Sequence, residues 1–193
     1  MPSLGKFQES LDTFKVDEKI IAEINKGYGN IDSKTPKKVR AQYFKHVVDV
    51  MTKHVDADKF QEIFEWNACC KGGAREKASK AFAKKNGGLS FEEKLELIKE
   101  VPHMGKPVRN EDGTITVHAL KYSDGEKFLC ACPNFNGVKR DYSVSKNYCF
   151  CCAGHFKYHY EIMLGVRLKT LEIVSSPLDS EGENPCIIKY ALV

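Results

Sequence analysis

The hydrophobic period of this chain changes near Gly105, and that change decides which folds are open to it. Before Gly105, apolar residues recur at three- and four-residue steps, the spacing of one buried helix face. Leu4, Phe7, Leu11 and Phe14 form the first stripe, and Ile20, Ile21 and Ile24 the second, behind an Asp17 suited to cap a helix. Gly27 and Gly29 end it. Thr35-Pro36 reads as a cap followed by a first-turn proline, with Val39, Phe44, Val47, Val48 and Met51 as the stripe behind it. Phe60, Ile63 and Phe64 begin a further segment from about Asp56, broken at Gly72-Gly73, and Ala74 to Lys85 resumes a helix with few large apolar residues. Ser90-Phe91-Glu92-Glu93 is a capping box opening a helix with Leu95 and Ile98.

Beyond Gly105, Thr114 to Tyr122 is rich in β-branched residues. Asp124-Gly125 predicts a hairpin turn, with Lys127 to Cys132 as the partner strand. A polar loop from Pro133 to Lys146 leads into a helix from about Asn147 to Leu164, closed by Gly165. Two strands, Val166 to Val174 and Cys186 to Leu192, complete the chain. The expected fold is therefore α+β. A helical part, 1–104, is followed by an antiparallel strand-strand-helix-strand-strand module, 105–193, and the two share one core. A chain of 193 residues is long enough for that core.

Composition removes several classes. With 42% hydrophobic residues the chain is neither a disordered tail nor a fibrous repeat. No stretch approaches the roughly 20 apolar residues of a membrane span. The first residues, Met1 to Glu9, lack a basic segment followed by an apolar run, so no signal peptide is read and a cytoplasmic protein is expected. The net charge of +4 is too small to imply a nucleic-acid partner. Basic runs between Lys34 and Lys45 and between Lys71 and Lys85 are read as solvated helix faces, with Tyr43 and Phe44 inside the first.

The eight cysteines carry the chemistry. Cys69 and Cys70 are adjacent, Cys130, Cys132, Cys149, Cys151 and Cys152 are clustered, and Cys186 stands near the C-terminus. Without a secretion signal, this pattern points to metal binding or thiol chemistry before disulfides. On a strand, Cys130 and Cys132 would share a face. On a helix, Cys149 neighbours Cys152, Cys152 neighbours His155, and His155 neighbours His159. Cys149 would occupy the first turn, where unpaired N–H groups and the helix dipole favour a thiolate.

Three readings stay open. The first is a metal held by Cys149, Cys152 and His155, with Cys132 or Cys130 as the further ligand and Cys151, Cys69 and Cys70 less favoured; zinc comes first and an iron–sulfur cluster fits too. The second is a cysteine-dependent hydrolase or thiol redox enzyme with Cys149 as nucleophile and His155 as base. The third is a buried structural cluster. His46, His54, His103 and His118 read as surface or satisfied core residues.

Cys151-Cys152, Ala153-Gly154-His155, Leu164-Gly165, Glu172, Gly182 and Cys186-Ile187-Ile188 run in an order that resembles the 4-vinyl reductase type of domain, a small α+β ligand-binding module. The resemblance implies a ligand-binding or sensing fold, often with zinc, and adds Glu172 and Cys186 as matched metal positions. Ser175 stands where that family carries a cysteine. The stretch from Cys149 to Val193 also resembles an uncharacterised cysteine-rich microbial family and, more distantly, aminothiazoline-carboxylate hydrolases. The expected function is a metal-binding, small-molecule-binding or sensing protein. A small-molecule ligand is its expected partner, a homodimer is left open, and neither nucleic acid nor a membrane is expected.

Overall fold

The computed structural model describes residues 4–29, 31–68, 71–119, 122–123 and 125–193. Six helices come first: α1 Leu4–Thr13, α2 Glu18–Asn25, α3 Lys37–His54, α4 Ala57–Trp66, α5 Gly73–Lys85 and α6 Phe91–Ile98. Local signals start several of them. Asp17 accepts from the Lys19 N–H at 2.7 Å, Asp56 accepts from the Asp58 N–H at 2.9 Å, and Ser90 with Glu93 completes the capping box. At α3 the cap differs from expectation. Pro36 is the capping residue and makes no side-chain bond, because the Thr35 hydroxyl is tied into a turn around Asp32.

The helices bury the stripes that the spacing marks out. Phe7, Leu11, Phe44, Val47, Val48 and Met51 are all 0% exposed. Full burial of such a side chain contributes about 1.5–3 kcal/mol. Tyr43 joins them inside. Its hydroxyl accepts from Gln8 Nε2 at 2.9 Å and donates to Asn25 Oδ1 at 3.2 Å, which ties α1, α2 and α3 together. The aromatic pair of the first basic run is thus core, and neither ring can stack on a base.

The rest of the chain is α+β as expected. A four-stranded antiparallel sheet has the order β1 Lys106–Arg109, β2 Ile115–His118, β6 Ile187–Leu192, β5 Leu168–Ser175. A separate two-residue ribbon pairs β3 Tyr122–Ser123 with β4 Phe128–Leu129. Strand β2 does not pair with the Lys127–Cys132 segment. It lies between β1 and β6, with Val117 opposite Ile188 and Ile115 opposite Tyr190. The Phe128 N–H bonds the Gly182 carbonyl at 2.8 Å instead, and the chain leaves strand geometry before Cys130. Asp124, half of the expected hairpin turn, lies outside the described residues.

Helix α7, Phe150–Leu164, is entered through a 3₁₀ turn, Lys146–Cys149, and stops at Gly165, whose φ of 71° is the left-handed closure expected there. Ten of its residues are buried, so it is the central helix. Helices α4, α5 and α6 pack against it, as does β5. Gly154 makes the approach of α4 possible: a Cβ there would meet the Glu65 carbonyl oxygen at 2.7 Å. One hydrophobic cluster runs through both parts of the chain, from Phe7 to Tyr190. Among the described residues, no helix is long and apolar enough to cross a membrane.

Candidate functional site

A cavity of about 510 Å³ opens at the N-terminal end of α7. Cys130, Cys132, Cys149, Cys151, Cys152 and Cys186 all line it, together with His155. These thiols come from three separate stretches. Cys130 and Cys132 lie in the loop after β4, where Pro133 opens a turn and the Cys132 carbonyl accepts from Phe135 at 2.9 Å and Asn136 at 2.7 Å. Cys149 closes the 3₁₀ turn, and Cys151 and Cys152 occupy the first turn of α7. Cys186 stands just before β6. These six cysteines are free thiols.

Core packing positions the sulfurs. Tyr148 is wholly buried, edge-on to Phe44 at 5.8 Å, Phe64 at 5.9 Å and Phe135 at 4.9 Å. Its hydroxyl accepts from Asn134 Nδ2 at 3.0 Å and lies 3.1 Å from Cys132 Sγ. With Asn134 donating to the oxygen, the phenol has its own proton to give to sulfur. Cys149 Sγ is 3.2 Å from the buried Ser176 hydroxyl and also bonds Cys186. The Cys132 N–H points at Cys130 Sγ, 3.4 Å away.

The electrostatics single out one thiol. A hydrogen bond from Cys151 pulls Cys152 down to about 7 against the opposing effect of burial. The same bond, then burial, pushes Cys151 well up. Burial, then the charge of Cys152, raises Cys132 to about 12. Burial, then Cys149, raises Cys130. Cys149 is raised by its bond to Cys186 and by burial, while the lowered thiol is Cys152. Cys152 also acts on Cys130, Cys132, Cys149 and Cys151, and so is the common electrostatic neighbour of the group.

The remaining expected ligands are placed as follows. His155 is buried, its ring 4.7 Å from that of His159 and 5.2 Å from that of Phe156. Glu172 is exposed and does not line the cavity. A bulge between Thr170 and Glu172 breaks the alternation that would have turned it inward, which corrects its assignment as a metal position. Cys69 and Cys70 lie outside the described residues. Among the described residues, no three His, Cys, Asp or Glu side chains are gathered as a metal cage. The thiols instead stand in closer pairs around a common space.

Several lining residues escaped the sequence reading. Tyr148 carries no spacing signal. Lys71 and Arg75 lie within a basic run read as a solvated face, and His103 among the histidines read as surface or satisfied core residues; all three line the cavity. No protein-family profile, curated protein or solved structure matches this chain.

Proposed function

We propose that this protein binds a small molecule in the thiol-lined cavity and holds a soft metal ion, zinc first, beside it. The observation that carries the reading is the gathering of six thiols around one largely apolar space of about 510 Å³. That volume is in the range of cofactor and small-molecule sites. Thiolates select zinc, copper(I) and iron–sulfur clusters over hard cations, so the donor set fits such a centre. Cys152, nearest to ionisation, is the natural first ligand. Cys130, Cys132 and Cys149 are close enough to feel its charge and are the next candidates. A bound dication supplies the positive charge that burial denies these thiols, and their protons are released on binding. Chelator-stripped protein should take up about one equivalent of zinc with measurable proton release. Protein purified without chelator that carries only a small fraction of an equivalent of zinc or iron, and releases no protons on zinc addition, would defeat the proposal.

The depressed value of Cys152 favours a second reading, a cysteine-dependent hydrolase or thiol redox enzyme. The thiolate is the reactive form, so alkylation of metal-free protein rises with pH. Cys152 should be modified first, at half its maximal rate near pH 7, while Cys130, Cys132, Cys149 and Cys151 lag until well above pH 9. Residue-resolved alkylation followed by mass spectrometry reads this directly. Equal modification of all five at pH 7 rules the reading out.

A further inference from the structure

The cavity has a second chemical character besides its sulfurs. Lys6 on α1, Lys71 just ahead of α5 and Arg75 in the first turn of α5 line it together. Among the described residues, no aspartate or glutamate does. The carboxylates nearby are engaged elsewhere: Glu65 pairs with Lys157 at 3.0 Å, Glu161 accepts from the Leu168 N–H at 2.9 Å, and Glu76 pairs with Lys80. Glu65 and Glu161 line a neighbouring recess that Lys71 also borders, and their charges offset part of the repulsion on Lys71. Among the described residues, neither Lys71 nor Arg75 has a carboxylate within ion-pair distance. The Lys71 ammonium donates to the Glu65 carbonyl at 3.0 Å and lies 5.9 Å from the centre of the Tyr158 ring, and neither contact neutralises its charge. Although the residue as a whole is exposed, burial around the ammonium and the charge of Lys6 hold Lys71 below its ordinary value. Gathering like charges at the edge of an apolar cavity is unfavourable unless an anion joins them.

We infer that the ligand of this cavity is a small organic anion, an apolar body with one acidic group seated between Lys71 and Arg75. The guanidinium of Arg75 suits the two oxygens of a carboxylate, sulfonate or phosphate. Phe156, Ile173 and Ile188 offer the apolar wall along which the rest of the molecule runs toward the thiols. The inference rests on the cavity being the binding site, and not on its metal.

The probes are 8-anilinonaphthalene-1-sulfonate and its uncharged counterpart N-phenyl-1-naphthylamine, followed by their own fluorescence and by quenching of Trp66, the single tryptophan. Lys6 Nζ lies 4.9 Å above the ring of Trp66, so that signal reports on the cationic residues. The sulfonate should bind about tenfold or more tightly than the neutral probe. The double variant Lys71→Gln/Arg75→Gln should weaken the sulfonate about tenfold and leave the neutral probe within about twofold. A control with the same charge change, Lys84→Gln/Lys85→Gln at the far end of α5, should bind both as the parent does. Raising salt from about 0.05 to about 0.5 M should weaken only the sulfonate, a comparison that needs no variant. Equal affinity for the two probes, equal loss in the control variant, or no sulfonate binding to folded protein overturns the inference. Zinc content measured on the same samples separates the two claims: a protein without zinc that still prefers the sulfonate removes the metal reading alone.

Discussion

Valine in place of Gly154 is expected to destabilise the protein by more than about 3 kcal/mol. A Cβ at this position would lie 2.7 Å from the Glu65 carbonyl oxygen, 2.8 Å from Glu65 Cα and 3.0 Å from Ala68 Cβ. Two of these are backbone atoms, which cannot swing aside as a side-chain tip does. Helix α4 cannot retreat cheaply either. Its Ile63 and Phe64 are 0% exposed, and Phe60 stacks on Phe64 with centroids 4.6 Å apart. Alanine adds only the first carbon and gains about 1 kcal/mol of helix propensity, so Gly154→Ala should cost less, about 1–2 kcal/mol. Urea denaturation measures both. A Gly154→Ala midpoint at or above the parent value would show that α4 shifts freely and that the contact is not a constraint.

Serine at position 152 is expected to lower zinc affinity by more than about 100-fold. The hydroxyl is close to the thiol in size but does not ionise near neutral pH, and Cys152 is the thiol whose charge reaches Cys130, Cys132, Cys149 and Cys151. Cys186→Ser is the matched comparison. Cys186 is half-buried, and its thiol partner is Cys149, so its loss should weaken zinc less than about tenfold. Competition against a chromophoric chelator gives both numbers. Equal affinities for the parent and Cys152→Ser would place the metal elsewhere or remove it from the account.

The parts of this fold that are written locally could be read from the residues alone. The acceptors at Asp17 and Asp56, the box at Ser90 and Glu93, and the left-handed stop at Gly165 act within one turn of chain, and each helix begins or ends where they stand. Strand partnership is different. Whether β2 pairs with the Cys130 segment or with β6 depends on residues far along the chain, and the periodicity of Thr114 to Tyr122 is the same in either case. Strand β1 was not anticipated, because four residues containing Pro107 have little strand character, and a proline is admitted there since the strand is at the sheet edge. The expectation for Glu172 followed from its place in a motif, but a bulge is set by how two strands match in length, which no motif records. Gathering of the thiols could be expected from their number and spacing. The cations that meet them could not, since Lys71 and Arg75 look in sequence like any exposed helix face.

Tyr148 has a consequence for how the chain can be divided. Its ring is clamped by Phe44 and Phe64 from the helical part and by Phe135 from the other, while its hydroxyl faces Cys132. A fragment beginning at Gly105 would contain every cysteine of the cluster and yet lose two of the three rings that fix this phenol. The sulfur lining of the cavity is therefore a property of the intact polypeptide, and truncation at the change of periodicity would keep its atoms while dissolving their arrangement.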